Sequence, residues 1–399
     1  MTGTSVINAP PVNASVRAPG WEQSLGDGAP GIALLQIERA RAGATDWRAV
    51  HRLATAMTRQ PVNANARSAS LFWGAPAVAY ALHTAEHPAY RTALNKLDQA
   101  IEALIRLRLG AAHRRVDDGL LPRAREYDLI NGLTGLGAYF MHRYGDHHLL
   151  REVLTYLVRL TRPIRDGRET LPGWWAAGSP DRRRSPRWRE GHASFGMAHG
   201  IAGPLALLSA TMRQGIVVDG QDDAIHTICD WFDQWRHGHG TQAWWPEVID
   251  RAELRSRAVV RLGPHRPSWC YGNPGIARAQ QLAAIATDDP GRARMAEQAL
   301  VGCLTDERQH SHFTDAGLCH GWAGLVHTAR RAAADASTSE LDTATRAAAI
   351  RTREHLRDHG PPAVDGLLEG TTGIDLVDAT YATTPSATQP AWDTCLLLT

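Results

Sequence analysis

The chain has 399 residues, 43% hydrophobic and 21% charged, and a formal net charge of +2. This is the make-up of a soluble globular protein, and it excludes disordered, collagen-like and bulk-charge nucleic-acid-binding classes. No apolar run approaches the ~18 residues of a membrane span. The five cysteines (Cys229, Cys270, Cys303, Cys319 and Cys395) are too few for a disulfide scaffold and suit a reducing cytoplasm.

In chain order, residues 1–21 are rich in Pro, Asn and Ala without a continuous apolar core, so a flexible tail is expected there and not a secretion signal. From residue 22 to 399 one pattern recurs, a Gly-x-x-Gly followed by an apolar run. It begins at Gly28, Gly74, Gly132, Gly200, Gly272, Gly321 and Gly370, with Ala77 replacing the second glycine of the second copy. The spacings are 46, 58, 68, 72, 49 and 49 residues. Each copy leads into a segment with helical character, and small residues at a helix start let backbones approach closely.

Between copies lies room for a second, amphipathic helix. Leu94, Leu97, Ile101 and Leu104 step at helical spacing, as do Leu150, Val153, Leu157 and Leu160. The predicted unit is therefore a helix pair repeated seven times, in a single domain over 22–399. Helix pairs stack as an open solenoid or close into a ring, and periodicity alone weighs the two equally. Closure is favoured because no plainly polar capping repeat stands at either end. In a closed ring, the residues just ahead of each Gly-x-x-Gly converge around the axis.

Those head residues carry the chemistry. Immediately before the first glycines stand Asp27, Trp73, Asn131, His199, Tyr271, His320 and Glu369, and two before stand Cys270 and Cys319 in adjacent units. Two cysteines in matched register with His320 make a common zinc set that leaves a fourth position open. The competing reading of a lone cysteine is a small buried hydrophobe, which fits Cys229, Cys303 and Cys395. His199 is either a capping histidine or an acid–base group. Asp128, four before Gly132, and Arg266, four before Cys270, taken singly read as surface ion-pair residues. The basic run Asp181–Arg189, with Arg182 and Arg189 at its arginine ends, reads either as a solvated loop or as a grip for an acidic leader peptide. The end around Cys395–Thr399 reads as an apolar terminus.

At these residues the sequence resembles the lanthionine synthetase C-like family, the cyclases of class I lanthipeptide biosynthesis. The resemblance rests on Glu126-Tyr127-Asp128-Leu129-Ile130-Asn131-Gly132, on Gly196-Met197-Ala198-His199-Gly200, and on the segments Trp269–Gly275 and Leu318–Gly324. It implies an all-α fold, an α/α toroid of seven inner and seven outer helices. It implies Zn2+ held by Cys270, Cys319 and His320, with Asp128, His199, Arg266 and Tyr271 as acid–base and supporting residues. The 58-residue spacing of the second unit implies no more than a short non-helical excursion around 106–127.

The reaction implied is addition of a peptide cysteine thiol to dehydroalanine or dehydrobutyrine, closing a thioether ring. The implied substrate is a dehydrated precursor peptide, leader plus core. Implied associates are a dehydratase and a transporter, at a cytoplasmic site peripheral to a membrane complex. Two rivals remain: a carbohydrate-active toroid, which needs the paired carboxylates the heads lack, and a zinc protein that binds thiols such as glutathione without forming rings.

Overall fold

The computed structural model describes residues 20–399 apart from 182, 184, 262 and 383–391, with backbone alone at 381 and 382. The expected flexible tail falls almost wholly on residues 1–19, outside the described residues, and Trp21 opens a short 3-10 turn, Trp21–Gln23.

Seven helices follow the seven heads: α1 (Ala29–Arg41), α3 (Ala75–Thr84), α5 (Leu133–Tyr144), α7 (Ala202–Arg213), α9 (Asn273–Ala286), α11 (Trp322–Asp335) and α13 (Thr371–Ala382). The helices between them are α2 (Arg48–Thr58), α4 (Arg91–Asp117), α6 (His148–Leu160), α8 (Gln221–Gln234), α10 (Pro290–Thr305) and α12 (Glu340–His359). The odd-numbered helices are buried nearly all round, as in α7, where residues 202–211 are all buried. That is how a helix walled on every side must read. The even-numbered ones are amphipathic: α6 buries Leu149, Leu150, Val153, Leu154, Leu157 and Leu160 and turns its charged residues outward.

Each inner helix packs on the next, and α13 returns to pack on α1, so the inner layer is a closed ring of seven. Each of the first six inner helices packs on the outer helix that follows it in the chain. After α13 the chain passes through residues 383–391, outside the described residues.

The glycines have a shared geometric reason. A Cβ on the second glycine of six heads would lie 2.0–2.7 Å from the carbonyl oxygen six residues earlier, as at Gly275 (Trp269 O, 2.1 Å) and Gly324 (Leu318 O, 2.0 Å). The head loop folds straight over the helix start, and no side chain fits between. The second unit, which has Ala77 there, enters its helix differently, with Gly74 at φ +76°.

The head loops are also tied to one another. The N–H of Ala198 donates to the Cys270 carbonyl (3.0 Å), Cys270 to Cys319 (3.2 Å), Cys319 to Leu368 (2.7 Å) and Leu368 to Gly26 (2.9 Å). Leu129 donates to Ala198 (3.1 Å) and Leu25 to Phe72 (3.0 Å). This belt runs through the position two before the first glycine, or three before it at Leu129 and Leu25, and it sets neighbouring heads at similar height.

Within 106–127 the non-helical stretch is confined to residues 118–123: α4 runs unbroken to Asp117, and Ala124–Tyr127 forms a further helical turn. The extra residues of that unit lengthen a helix, because Leu104, Ile105, Leu109 and Ala112 continue its buried stripe. Irregular chain collects instead ahead of α7 and α9. There β1 (Ile164–Asp166) pairs antiparallel with β2 (Glu169–Leu171), and β3 (His192–Ser194) with β4 (Val248–Asp250).

The segment Trp392–Leu398 is buried inside the ring. Tyr80 of α3 donates to the Trp392 carbonyl (2.9 Å), Arg278 of α9 to Leu398 (2.8 Å), and the Trp269 indole to Leu396 (3.1 Å). Asp393 accepts from His327 (2.7 Å) and Arg331 (2.6 Å) of α11. The hollow is thus plugged by chain from within.

Candidate metal centre and acid–base pair

The belt bond from Cys270 to Cys319 places the two thiols side by side at the head end of the ring. One ligand atom each from Cys270, Cys319 and His320 lies within 4.8 Å of the others, the separation at which one ion can bridge three donors. Cys270 is 6% exposed, while Cys319 and His320 are half-buried, so the cluster is supported from behind and open in front. The neighbouring Cys319 thiol draws Cys270 well below the ordinary thiol range, and the Cys270 thiolate in turn holds Cys319 above it. With one thiol of the pair already favouring the thiolate, a cation has a single thiol proton to displace.

His320 is oriented by a carboxylate. Its Nε2 lies 3.1 Å from Asp315 Oδ2, which leaves Nδ1 for an ion. That contact, with the Cys270 thiolate, raises the imidazole to about 9. Asp315 is itself held by the Gly317 N–H (2.8 Å) and the Thr314 hydroxyl (3.3 Å), and Arg266 donates to that same hydroxyl (3.2 Å). A carboxylate behind a ligating histidine is the arrangement that fixes ring and tautomer in metal sites. The donor set therefore fits Zn2+.

The second feature stands across Tyr271. His199 Nδ1 lies 2.8 Å from Asp128 Oδ2. The Asp128 side chain is 2% exposed, and its Oδ1 accepts the Asn131 N–H at 2.6 Å. An ionised carboxylate only accepts, so the network assigns the ring proton to Nδ1 and leaves Nε2 facing outward. The Tyr271 ring centroid is 5.7 Å from that of His199. Burial, then the nearby Cys270 and Asp128 charges, keep the Tyr271 phenol protonated well above its ordinary range. Both groups border a cleft of about 1040 Å³ walled on its other side by residues such as Pro180, Arg183, Trp188 and Arg189.

The residues singled out in the sequence thus fall into two clusters joined by Tyr271. Arg266 lies on the outer side of the metal cluster, bound to Thr314, and not in the cleft with His199. Sequence reading missed Asp315, Thr314 and Glu247. Asp315 stands six residues before Gly321, as Arg266 stands six before Gly272, so extending the register comparison outward would have found it. Glu247 is lifted to about 7 by burial and the nearby Cys270 thiolate, and it faces His265 at 3.5 Å. Of the basic run, Arg187 is engaged by Asp250 (2.7 Å) and Glu253 (3.0 Å), Arg183 and Arg189 line the cleft, and Arg182 and Arg184 lie outside the described residues.

Residues 19–397 match the family model described as Lanthionine synthetase C-like protein. The nisin biosynthesis protein NisC of Lactococcus lactis subsp. lactis is 24% identical over 315 residues, which is 77% of this chain and 72% of that protein. The solved structure of nisin cyclase shares the fold, with a TM-score of 0.78 at 21% identity over 96% of this chain and 93% of that one. With its ring of seven inner helices and a family match over nearly its whole length, the chain belongs to the lanthionine synthetase C-like family.

Proposed function

We propose that the chain is a zinc-dependent lanthipeptide cyclase, joining cysteine thiols of a dehydrated precursor peptide to dehydroalanine or dehydrobutyrine as thioether rings. The observation that carries this reading is the Cys270–Cys319–His320 cluster opening beside the Asp128–His199 pair. Nisin cyclase, whose fold it shares, is named for ring closure, and NisC, a relative in sequence, for nisin biosynthesis.

The reaction adds S–H across a carbon–carbon double bond, so sulfur bonds to the β-carbon and a proton arrives at the α-carbon. A free thiol near 8.5 is only a few per cent ionised at neutral pH, and a shift of ~1.5 units is worth roughly 2 kcal/mol of available nucleophile. Zinc bound by Cys270, Cys319 and His320 would supply that ionisation, and two protein thiolates leave the incoming sulfur electron-rich. The remaining work belongs to the chain. Charge builds on the substrate carbonyl as sulfur attacks, and the Tyr271 hydroxyl, held protonated, donates to it. His199 takes up the thiol proton at Nε2 and passes it to the α-carbon, while Asp128 holds Nδ1–H and supports the charged ring in between. Arg266 acts at a distance, steadying Thr314 and through it the Asp315–His320 pair.

The enzyme would work in the cytoplasm, on a peptide delivered by a dehydratase and passed on to a transporter. Among the described residues no helix is long and apolar enough to cross a membrane. The test is incubation with a dehydrated precursor, measuring free thiols by alkylation mass shift and metal by elemental analysis. The expected result is one zinc per chain and loss of free thiol, with both abolished by Cys319→Ala. Ring closure by a metal-free Cys319→Ala protein would refute the mechanism. Thiol binding without any loss of free thiol would instead favour a thiol-binding protein that forms no rings.

A further inference from the structure

The cleft beside His199 is unevenly charged. Arg123, Arg125, Arg183 and Arg189 line it, all exposed. The two acids in its wall are committed: Asp128 to His199 and Asn131, and Asp181 to Ser179 and the Arg183 N–H (3.0 Å). Arg125 gives one N–H to the Arg67 carbonyl, which leaves its charge unbalanced. Arg123 and Arg189 have no acidic partner among the described residues. Elsewhere the chain pairs its arginines freely: Arg187, in the same loop, sits between Asp250 and Glu253, and Arg255 between Glu169 and Glu190. Exposed arginines elsewhere, such as Arg59, Arg114 and Arg162, lie outside this cleft, whereas these four guanidinium groups share one concave site in which both acids are already engaged.

Guanidinium forks match carboxylates in two-point geometry and keep their charge at every working pH. Trp188 and Tyr271 add flat apolar faces to the same walls, suited to peptide backbone and side chains. We propose that this cleft binds Asp and Glu side chains of the peptide substrate, holding the acidic stretch while a neighbouring cysteine reaches the metal cluster past Tyr271. This assigns a substrate class to the cyclase site and rests on that reading for the identity of the peptide.

The test uses the zinc-loaded protein and two fluorescent synthetic peptides, one with a cysteine flanked by aspartates and its twin with asparagines. Exposed Arg–carboxylate pairs are individually weak, but several acting together should give the aspartate peptide an advantage of about tenfold in dilute salt. That advantage should shrink as salt is added and vanish in Arg123→Ser/Arg189→Ser, whose zinc content and thermal unfolding should match wild type. Equal affinity for both peptides, or a preference that survives in the double variant, overturns the proposal. An oligonucleotide of equal charge that displaces the aspartate peptide at lower concentration also overturns it. Failure here leaves ring closure of dehydrated precursor untouched, whereas an aspartate preference without ring closure would sink the cyclase reading alone.

Discussion

Replacing Asp128 by Asn tests the acid–base pair while changing almost no volume. The carboxylate serves donors on both oxygens: Oδ1 accepts the Asn131 N–H at 2.6 Å, and Oδ2 accepts His199 Nδ1 at 2.8 Å and, more weakly, the Asn131 NH2 at 3.4 Å. An amide has one oxygen and one NH2, so it cannot accept on both sides. If the oxygen keeps the Asn131 N–H, the NH2 faces His199 and forces Nδ1 to accept, which moves the ring proton to Nε2. If it turns the other way, a backbone N–H at a buried position loses its partner, at a cost of about 1–3 kcal/mol. The first arrangement wins, because moving a proton between ring nitrogens costs less.

The variant then loses the negative charge opposite the ring. Two unit charges at this separation attract by roughly 6 kcal/mol at an effective dielectric of ~20. The His199 side chain is 33% exposed, so solvent screens much of this and about 3 kcal/mol reaches the step. That corresponds to a ring-closing rate about 100-fold lower. Single-turnover cyclisation of a dehydrated peptide measures it, with zinc content as the control, since Asp128 does not touch the metal cluster. Nitrogen NMR of the His199 ring should show the proton moved to Nε2. A rate within a few-fold of wild type, with the proton still on Nδ1, would refute the assigned roles.

Two further outcomes follow from the same geometry. Asp315→Asn removes the carboxylate behind His320 and should weaken zinc binding by about 10- to 100-fold in chelator competition, without altering the fold. Asp393→Ala leaves His327 and Arg331 facing a hole in the ring, and should cost about 3–5 kcal/mol in urea unfolding. Burial opposes ionisation of Asp393, but Arg331 and His327 outweigh it and hold the carboxyl well below its usual range. Its folded value is therefore depressed, so its contribution is complete above the unfolded carboxyl value near ~4 and fades as pH falls below it. The difference between wild type and variant should narrow on acidification.

The seven heads were legible because the close approach at each helix start excludes a side chain, and that requirement leaves a mark at regular places in the chain. Register did the rest. The N–H of Cys270 donates to the Cys319 carbonyl, and the same bond recurs between most neighbouring heads, so residues equally distant from their glycines must meet. Counting back from Gly272 and Gly321 thus amounts to measuring a distance. What stayed hidden has no such periodic mark. Asp315 works through one contact to a histidine five residues on, inside irregular chain. The buried Trp392–Leu398 segment depends on partners such as Tyr80, 312 residues away from Trp392. Its single acid in an apolar run says nothing until Arg331 is seen beside it. Nor does the arginine run reveal which of its charges are answered: Asp250 and Glu253 claim Arg187, and the cleft receives Arg189. The candidate metal ligands, His199 and Tyr271 were readable because the belt couples sequence register to space, and the cleft arginines were not, because they hang from loops the belt does not reach.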